Sequence, residues 1–237
     1  MTDTPRTPWI CATRDVPLGT RLSTCAAFAA LEGVAEQAKC WPRGTVLKVH
    51  FAQAAPALRE RTLHAARQWL VPGVQLDIVE TDDPHDAPLR VTFRPRAGNW
   101  SYVGRDCLEI RGGQPTMNLG DVSLESTDDD FNSLVIHEFG HALGFVHEHV
   151  HPDARIRWRK QAVYEDLGGE PNLWDRATVD ANVFESYERS DLVATPFDPV
   201  SVMIYPIAAS WTTSGKAFTP SARLSDGDAE TVALLYS

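Results

Sequence analysis

The segment that most constrains this chain is a run of histidines spaced for a single metal ion. His137 and His141 are four residues apart, just over one helical turn, so both side chains project from the same face of a helix. Glu138 can reach the same end of the site, and Gly144 can adopt the left-handed backbone conformation that ends a helix. The chain can then turn so that His147 supplies a third imidazole. Three neutral imidazoles with one open coordination position are typical of a catalytic zinc, and the sequence therefore predicts one Zn²⁺.

Two other interpretations of this pattern are a helix with buried histidines and a structural metal site. A structural zinc is normally held by four protein ligands, whereas the motif supplies three. The full pattern, His-Glu-x-x-His-x-x-Gly-x-x-His, is also rare by chance in a chain of ordinary composition. The catalytic interpretation is therefore favoured. His149 and His151 do not continue the turn spacing, so neither is expected to bind the metal.

Other segments accompany the motif. Glu148 directly follows the third histidine, and the segment from Ser201 to Tyr205 reads Ser-Val-Met-Ile-Tyr, with a tyrosine two residues after a methionine. These features resemble the metzincin zinc peptidases, and within that group the astacin type, in which a glutamate follows the third histidine and a methionine-containing turn comes later. The segment from Asn99 to Arg105 resembles one that lies ahead of the astacin active-site helix. The resemblance covers about residues 41 to 237.

The resemblance implies an α+β fold of the zincin type. A twisted mixed sheet and the active-site helix would form an N-terminal lobe, and a mostly helical or irregular C-terminal lobe would close the cleft. Residues 1–40 would be an N-terminal arm and helix that lie outside the resemblance. Residues 41–237 would be the catalytic domain, with its N-terminal lobe ending at about residue 149 and its C-terminal lobe covering 150–237.

Hydrophobic periodicity predicts the individual elements. Alternating patterns predict strands at residues 45–51, 74–79 and 89–93, and a helical stripe from Pro56 to Leu70 lies between the first two. The order strand, helix, strand, strand is that of the metzincin opening. Further helices are predicted from a cap at Ser23 or Thr24 to Lys39, at 158–167, at 177–187, and through Tyr236 after a capping box at Ser225 and Asp228.

The resemblance also implies roles for single residues. Glu138 would take a proton from a zinc-activated water that attacks a peptide carbonyl, and then deliver it to the leaving amine. Tyr205 would donate a hydrogen bond to the oxyanion, the alternative being an aromatic residue of the core. Met203 would form an apolar floor beneath the imidazoles, and Gly144 and Glu148 would give structural support.

A short strand is expected just before the active-site helix, and in metzincins this strand is the edge of the sheet along the cleft. Its residues are Thr116, Met117, Asn118 and Leu119. An edge strand leaves backbone N–H and C=O groups free, so an extended peptide substrate can add to it as another strand. A plain structural edge is the alternative.

The resemblance and the chemistry together predict a zinc metalloendopeptidase acting on a peptide or protein substrate. One alternative is an inactive zinc-containing module that binds peptides, against which the intact Glu138 counts. The other is a zinc hydrolase of non-peptide amides, which an open edge strand disfavours. The pocket that selects the cleavage site would come from the weakly patterned region between His151 and Pro199.

The net charge and the hydrophobic pattern limit which partners the chain can bind and where in the cell it can be. A net charge of −10 argues against nucleic acid or an anionic membrane as partner, because both favour basic patches. No apolar run is long enough to span a bilayer, and Met1 to Arg6 lack the basic start and apolar core of a signal peptide. A monomer is expected, in the cytoplasm or exported by a non-classical route.

The four cysteines, at positions 11, 25, 40 and 107, all precede the predicted active-site helix. None can tie down the C-terminal lobe with a disulfide, as astacins usually do, so reduced thiols are favoured. In another metzincin branch, a cysteine of the N-terminal segment blocks the zinc as a latency plug. Cys11 lacks that branch's surrounding motif, so an ordinary buried or free thiol is expected there, with the plug as the alternative.

Glu148 raises a separate question. In mature astacins the matching glutamate engages the amino terminus that is freed when a propeptide is removed. No cleavage site is evident here, so another partner is expected: an arginine such as Arg155, a histidine, or backbone N–H groups, with water as the alternative. The uncut chain would then be competent without processing.

Overall fold

The computed structural model describes residues 11–14, 35–170, 172–184, 192–193 and 196–237. Most of the helix predicted from Ser23 or Thr24 lies outside these residues. Its last part, which is described, forms a two-residue strand followed by a 3₁₀ turn at Gln37–Lys39. The strands are β1 (Cys11–Arg14), β2 (Ala35–Glu36), β3 (Thr45–Phe51), β4 (Leu76–Glu80), β5 (Leu89–Thr92), β6 (Asn99–Tyr102), β7 (Met117–Leu119) and β8 (Leu192–Val193).

Six of these strands form one mixed sheet in the order β1-β6-β7-β5-β3-β4. Strand β6 runs antiparallel to β7, and the other neighbouring pairs are parallel. Strands β2 and β8 form a separate antiparallel pair. The predicted strands at 45–51, 74–79 and 89–93 agree with β3, β4 and β5 to within two residues at each end.

Strand β7 lies inside the sheet, between β6 and β5. The expectation that Thr116, Met117, Asn118 and Leu119 form the substrate edge is therefore wrong. All four are buried, and Asn118 uses its side-chain amide to bind Arg94 and Gly98 carbonyls. The strand that would be the edge of the catalytic sheet is β6, and β1 covers it.

Two helices pack against the sheet, α1 (Pro56–Ala66) and α2 (Asp128–Ala142). Pro56 lacks the N–H that would be unpaired at the first position of α1. Leu63, Ala65 and Ala66 are buried on the inner face of the helix. The α-helix ends earlier than the predicted Leu70, because the chain tightens into a 3₁₀ turn at Arg67–Trp69. Trp69 thereby reaches the core and donates its indole N–H to the Ile136 carbonyl at 2.8 Å.

Helix α2 begins at a well-formed cap. The Thr127 hydroxyl accepts a hydrogen bond from the Asp130 N–H at 3.2 Å, and three aspartates occupy the first turn, where the helix dipole favours negative charge. Asp128 also pairs with Arg61 at 2.8 Å. These contacts explain the acidic cluster as a helix cap. The rest of α2 is almost wholly buried, so His137, Glu138 and His141 reach the site from surroundings without solvent.

The C-terminal lobe packs around a second apolar cluster that includes Val163, Leu167, Ile207 and Trp211. Its helices are α3 (Lys160–Gly168), α4 (Arg176–Val179) and α5 (Asp226–Tyr236), and a π-helix at Asp180–Phe184 continues α4. The predicted capping box of α5 is present, with Ser225 and Asp228 bonded to each other's backbone. No helix in the described ranges is long and apolar enough to cross a membrane.

Candidate metal centre

Three imidazoles converge at the C-terminal end of α2. The Nε2 atom of His141 lies 3.1 Å from that of His137 and 3.2 Å from that of His147. Nitrogens that each bond a tetrahedral zinc at about 2.0–2.1 Å are separated by about 3.3 Å. The spacing therefore fits a shared zinc ion, and all three residues are buried.

Backbone carbonyls fix the orientation of two of these rings. His137 Nδ1 lies 2.8 Å from the Val202 carbonyl and His141 Nδ1 lies 2.9 Å from the Phe145 carbonyl. A carbonyl can only accept, so each Nδ1 carries the hydrogen and each Nε2 is left as a donor of electrons to a metal. Burial lowers the pKa of His137 and of His147 well below the ordinary range, which keeps them in the neutral form that binds metal.

Two glycines have separate roles near the site: Gly144 forms the turn that brings His147 toward His137 and His141, and Gly140 leaves room for Met203. Gly144 has φ +103°, a conformation that L side chains rarely adopt, and the Phe145 N–H closes the helix end on the Gly140 carbonyl at 3.0 Å. A Cβ on Gly140 would lie only 2.3 Å from Met203 Sδ. Gly140 therefore permits Met203 to pack directly against α2.

Glu138 lies beside the imidazoles with its side chain fully buried. Neither of its carboxylate oxygens has a hydrogen-bond partner of full geometry among the described residues. Burial raises its pKa to about 8, and only the nearby thiol of Cys11 opposes that rise. A buried, unpaired carboxylate is costly. Its position next to a metal site gives a reason for that cost, since a bound cation favours the charged form.

Cys11 completes a cluster of four possible ligands. Its Sγ and one ring nitrogen from each of His137, His141 and His147 all lie within 4.8 Å of one another. Strand β1, which carries Cys11, pairs in parallel with β6 and places Cys11 opposite Asn99. Cys11 is a free, buried thiol, as expected, and its grouping with the three imidazoles fits the alternative of a latency plug.

Tyr205 also faces the site. Its ring centroid lies 5.0 Å from that of His147, its side chain is fully buried, and its hydroxyl has no hydrogen-bond partner among the described residues. Burial raises its pKa well above the ordinary value, and the charges of Cys11 and Glu138 add to this. The phenol is therefore neutral, able to donate, and close to both of those groups.

Comparison with known proteins agrees with this geometry. A family model described as Astacin, a peptidase family, matches residues 33–229. The chain belongs to the astacin family. Among solved structures, myroilysin superposes with a TM-score of 0.81 and 34% identity, covering 85% of this chain and 97% of that one. The expected astacin-like α+β fold and zinc as the metal are thereby confirmed.

Two further proteins are similar to this chain, one in fold and one in sequence. High choriolytic enzyme 1, a hatching enzyme zinc-protease of the medaka fish Oryzias latipes, shares the fold with a TM-score of 0.55 and 18% identity, over 84% of this chain and 95% of that one. Bone morphogenetic protein 1 of Xenopus laevis is 34% identical over 115 residues, or 48% of this chain. The match spans 14% of the length of that relative.

The glutamate typical of astacins has a partner within this chain. Glu148 Oε1 accepts a hydrogen bond from the Asp198 backbone N–H at 2.8 Å, which is one of the three partners expected from the sequence. Arg155 is exposed at the surface and does not fill that role. Burial, together with the charges of Asp228 and Asp198, raises the pKa of Glu148 to about 8, whereas the Asp198 N–H lowers it. Glu148 thus ties the segment after the third histidine to the turn before the methionine.

Sequence reasoning did not identify two supports of the methionine turn. Asp228 accepts hydrogen bonds from the Ser201 hydroxyl at 2.6 Å and from the Val202 N–H at 2.9 Å. The Glu148 N–H also donates to the Met203 carbonyl at 2.9 Å. The capping box had indicated Asp228 as a helix cap, but nothing in the spacing shows that the same carboxylate holds Ser201 and Val202.

The arrangement predicts which histidines determine metal content. His147→Ala should lose most of the zinc, because it removes one of three converging nitrogens. His149→Ala should keep about one zinc per chain, because His149 lies outside the converging set. Metal analysis of both purified variants by atomic emission checks this. Loss of zinc in His149→Ala with retention in His147→Ala would contradict the ligand set.

Proposed function

We propose that this chain is a zinc-dependent endopeptidase and that its N-terminal strand holds it in a latent form. The observation that carries the proposal is the convergence of three neutral imidazoles beside a buried, unpaired glutamate. Membership of the astacin family supports peptides or proteins as the substrate class. The intact Glu138 counts against an inactive module that only binds peptides.

The roles of the residues follow from their positions. Zinc held by the three imidazoles would polarise an attacking water and the peptide carbonyl. Glu138 accepts the proton of that water at its carboxylate and then delivers it to the leaving amine. Tyr205 donates its O–H to the oxygen on which negative charge develops.

Substrate binding is proposed at β6. With β1 absent, Asn99–Tyr102 would be the free edge of the catalytic sheet. Strand β1 now uses that edge over its four residues and brings Cys11 onto the metal site. An extended peptide would take its place by backbone pairing. The arm and a substrate therefore compete for one strand position and for one coordination position.

Tyr205→Phe should lower kcat on the order of 10²-fold with little change in KM, if the hydroxyl bonds the substrate oxygen mainly in the transition state. Steady-state kinetics on a fluorogenic peptide, with zinc content measured in parallel, checks this. A pure increase in KM would instead place Tyr205 in ground-state binding.

The function itself is tested by cleavage-site profiling. Chain from which the arm has been removed by limited proteolysis is incubated with a peptide library, with and without a zinc chelator. Cleavage of internal peptide bonds that the chelator abolishes is expected. Binding of peptides without cleavage, in a preparation that holds one zinc per chain, would favour the inactive module instead.

A further inference from the structure

His149 is a buried histidine that the proposed reaction does not use. Only 5% of it is exposed, and neither Nδ1 nor Nε2 has a hydrogen-bond partner of full geometry among the described residues. Leaving a buried polar group without a partner costs about 1–3 kcal/mol. A phenylalanine would fill the same space without that cost, so the polar ring calls for an explanation.

The ring of His149 packs against both the third ligand and the tyrosine of the site, which also contact each other. Its centroid is 5.2 Å from that of His147, with the planes nearly parallel at 28°, and 5.1 Å from that of Tyr205. Trp158 packs edge-on against its other side at 6.0 Å. His149 therefore touches the site through Tyr205 and His147 and touches the C-terminal lobe through Trp158.

In the described part of the chain, Tyr205 has an unused hydrogen-bond donor beside the unused acceptor of His149. Its hydroxyl is buried and unpartnered, as are the ring nitrogens of its neighbour His149. A neutral imidazole offers one N–H donor and one bare nitrogen that accepts, and a phenol offers one O–H donor. An unused donor and an unused acceptor thus lie on adjacent rings, and a change in the phenol's position can bring them together.

We propose that His149 is a positioning residue for Tyr205. When neither Cys11 nor substrate occupies the site, a ring nitrogen of His149 accepts a hydrogen bond from the Tyr205 hydroxyl. This inference rests on the proposed function, because one of the two acceptors that it assigns to Tyr205 is the oxygen of a peptide substrate. In the free enzyme the acceptor is the His149 nitrogen, and in the transition state it is the substrate oxygen. Between these states, His149 keeps the phenol away from Glu138, the other acceptor close to it.

The proposal predicts coupling between two substitutions. In a Cys11→Ala background, His149→Phe keeps the ring volume but removes the acceptor, and should lower kcat/KM on the order of tenfold, the effect of about one hydrogen bond. His149→Gln, which restores an acceptor, should recover part of the loss. In a Tyr205→Phe background, His149→Phe should have no further effect.

A measurement without substrate tests directly whether His149 accepts a hydrogen bond from Tyr205. The protein is labelled with ¹⁵N at histidine and loaded with zinc in the Cys11→Ala background, and the ring nitrogens of His149 are compared with and without Tyr205→Phe. Loss of a hydrogen bond should shift the bare nitrogen of His149, while the ligand resonances of His137 and His141 stay in place. This comparison leaves His149 itself unchanged, so it does not depend on the folding of a His149 variant.

The outcomes separate the two proposals. If zinc-loaded Cys11→Ala protein cleaves no peptide even after its arm has been trimmed, the proposed function fails, and the nitrogen shift still decides whether His149 pairs with Tyr205. An unshifted His149 nitrogen would overturn the inference. So would an equal loss of activity from His149→Phe with and without Tyr205, since that result would place the effect on His147 or on the fold.

Discussion

Intact chain carrying Cys11→Ala should hydrolyse peptides on the order of 10²-fold faster than intact wild type. Cys11 Sγ is grouped with the three imidazole nitrogens and is fully buried, so in the intact chain it would compete with water for the fourth ligand position of the proposed zinc. Minor conformers of a two-state protein are commonly about 0.1–10% populated, which sets the size of the increase when the thiol is removed. Initial rates on a fluorogenic peptide, with the full length confirmed by mass, measure it.

A second cysteine provides the control. Cys107 is buried as Cys11 is but lies on the 3₁₀ turn at Gly104–Glu109 and belongs to the main hydrophobic core. Cys107→Ala should leave the intact chain latent. If Cys11→Ala stayed as silent as wild type while trimmed wild type was active, β1 would block the site by its backbone and the thiol would not be the cause. Full activity of intact wild type would contradict latency and would support the expectation from the sequence that the uncut chain is competent without processing.

Glu138→Ala in the Cys11→Ala background should lose activity by about 10²–10⁴-fold, the range for a positioned acid–base group, while zinc stays bound. The residue touches no other described polar group at full hydrogen-bond geometry, so its removal breaks no bond of the fold. Activity is followed on the same peptide and zinc by metal analysis. Comparable activity in the variant would place the general base elsewhere.

The same glutamate gives a stability test on metal-free protein. Its pKa is raised from the ordinary 4.5 to about 8 by burial, so the folded state binds more protons than the unfolded state between these values. Stability attributable to this group therefore falls as pH rises through that window. Metal-free Glu138→Gln should lack this part of the pH dependence. Identical profiles for the two proteins, measured by urea unfolding at pH 5 and pH 8, would contradict the burial of an unpaired charge.

Local patterns predicted the parts of the molecule that local physics determines. The spacing of His137 and His141 places them on one helical face whatever the rest of the chain does, and Gly144 ends the helix as its backbone freedom suggests. The alternation from Thr45 to Phe51 matches β3, in which Leu47, Val49 and Phe51 are buried.

The order of the strands in the sheet was not predicted correctly, because the sequence of a strand does not determine which strands pair with it. Strand β7 was expected at the edge, but β6 pairs on its outer side and makes it interior. Cys11 lies more than a hundred residues before the histidines that it approaches. Only the register of β1 on β6 places it there, and a four-residue strand carries no periodic signal strong enough to show that pairing.

Zinc titration of metal-free Cys11→Ala protein tests the central claim most directly. The protein is stripped with a chelator, zinc is returned in steps, and peptide hydrolysis is measured at each step. Activity should rise from zero and level off at about one equivalent per chain, and His147→Ala in the same background should remain inactive at that ratio. Hydrolysis by the stripped protein, or a plateau that His147→Ala also reaches at one equivalent, would contradict a zinc endopeptidase built on His137, His141 and His147.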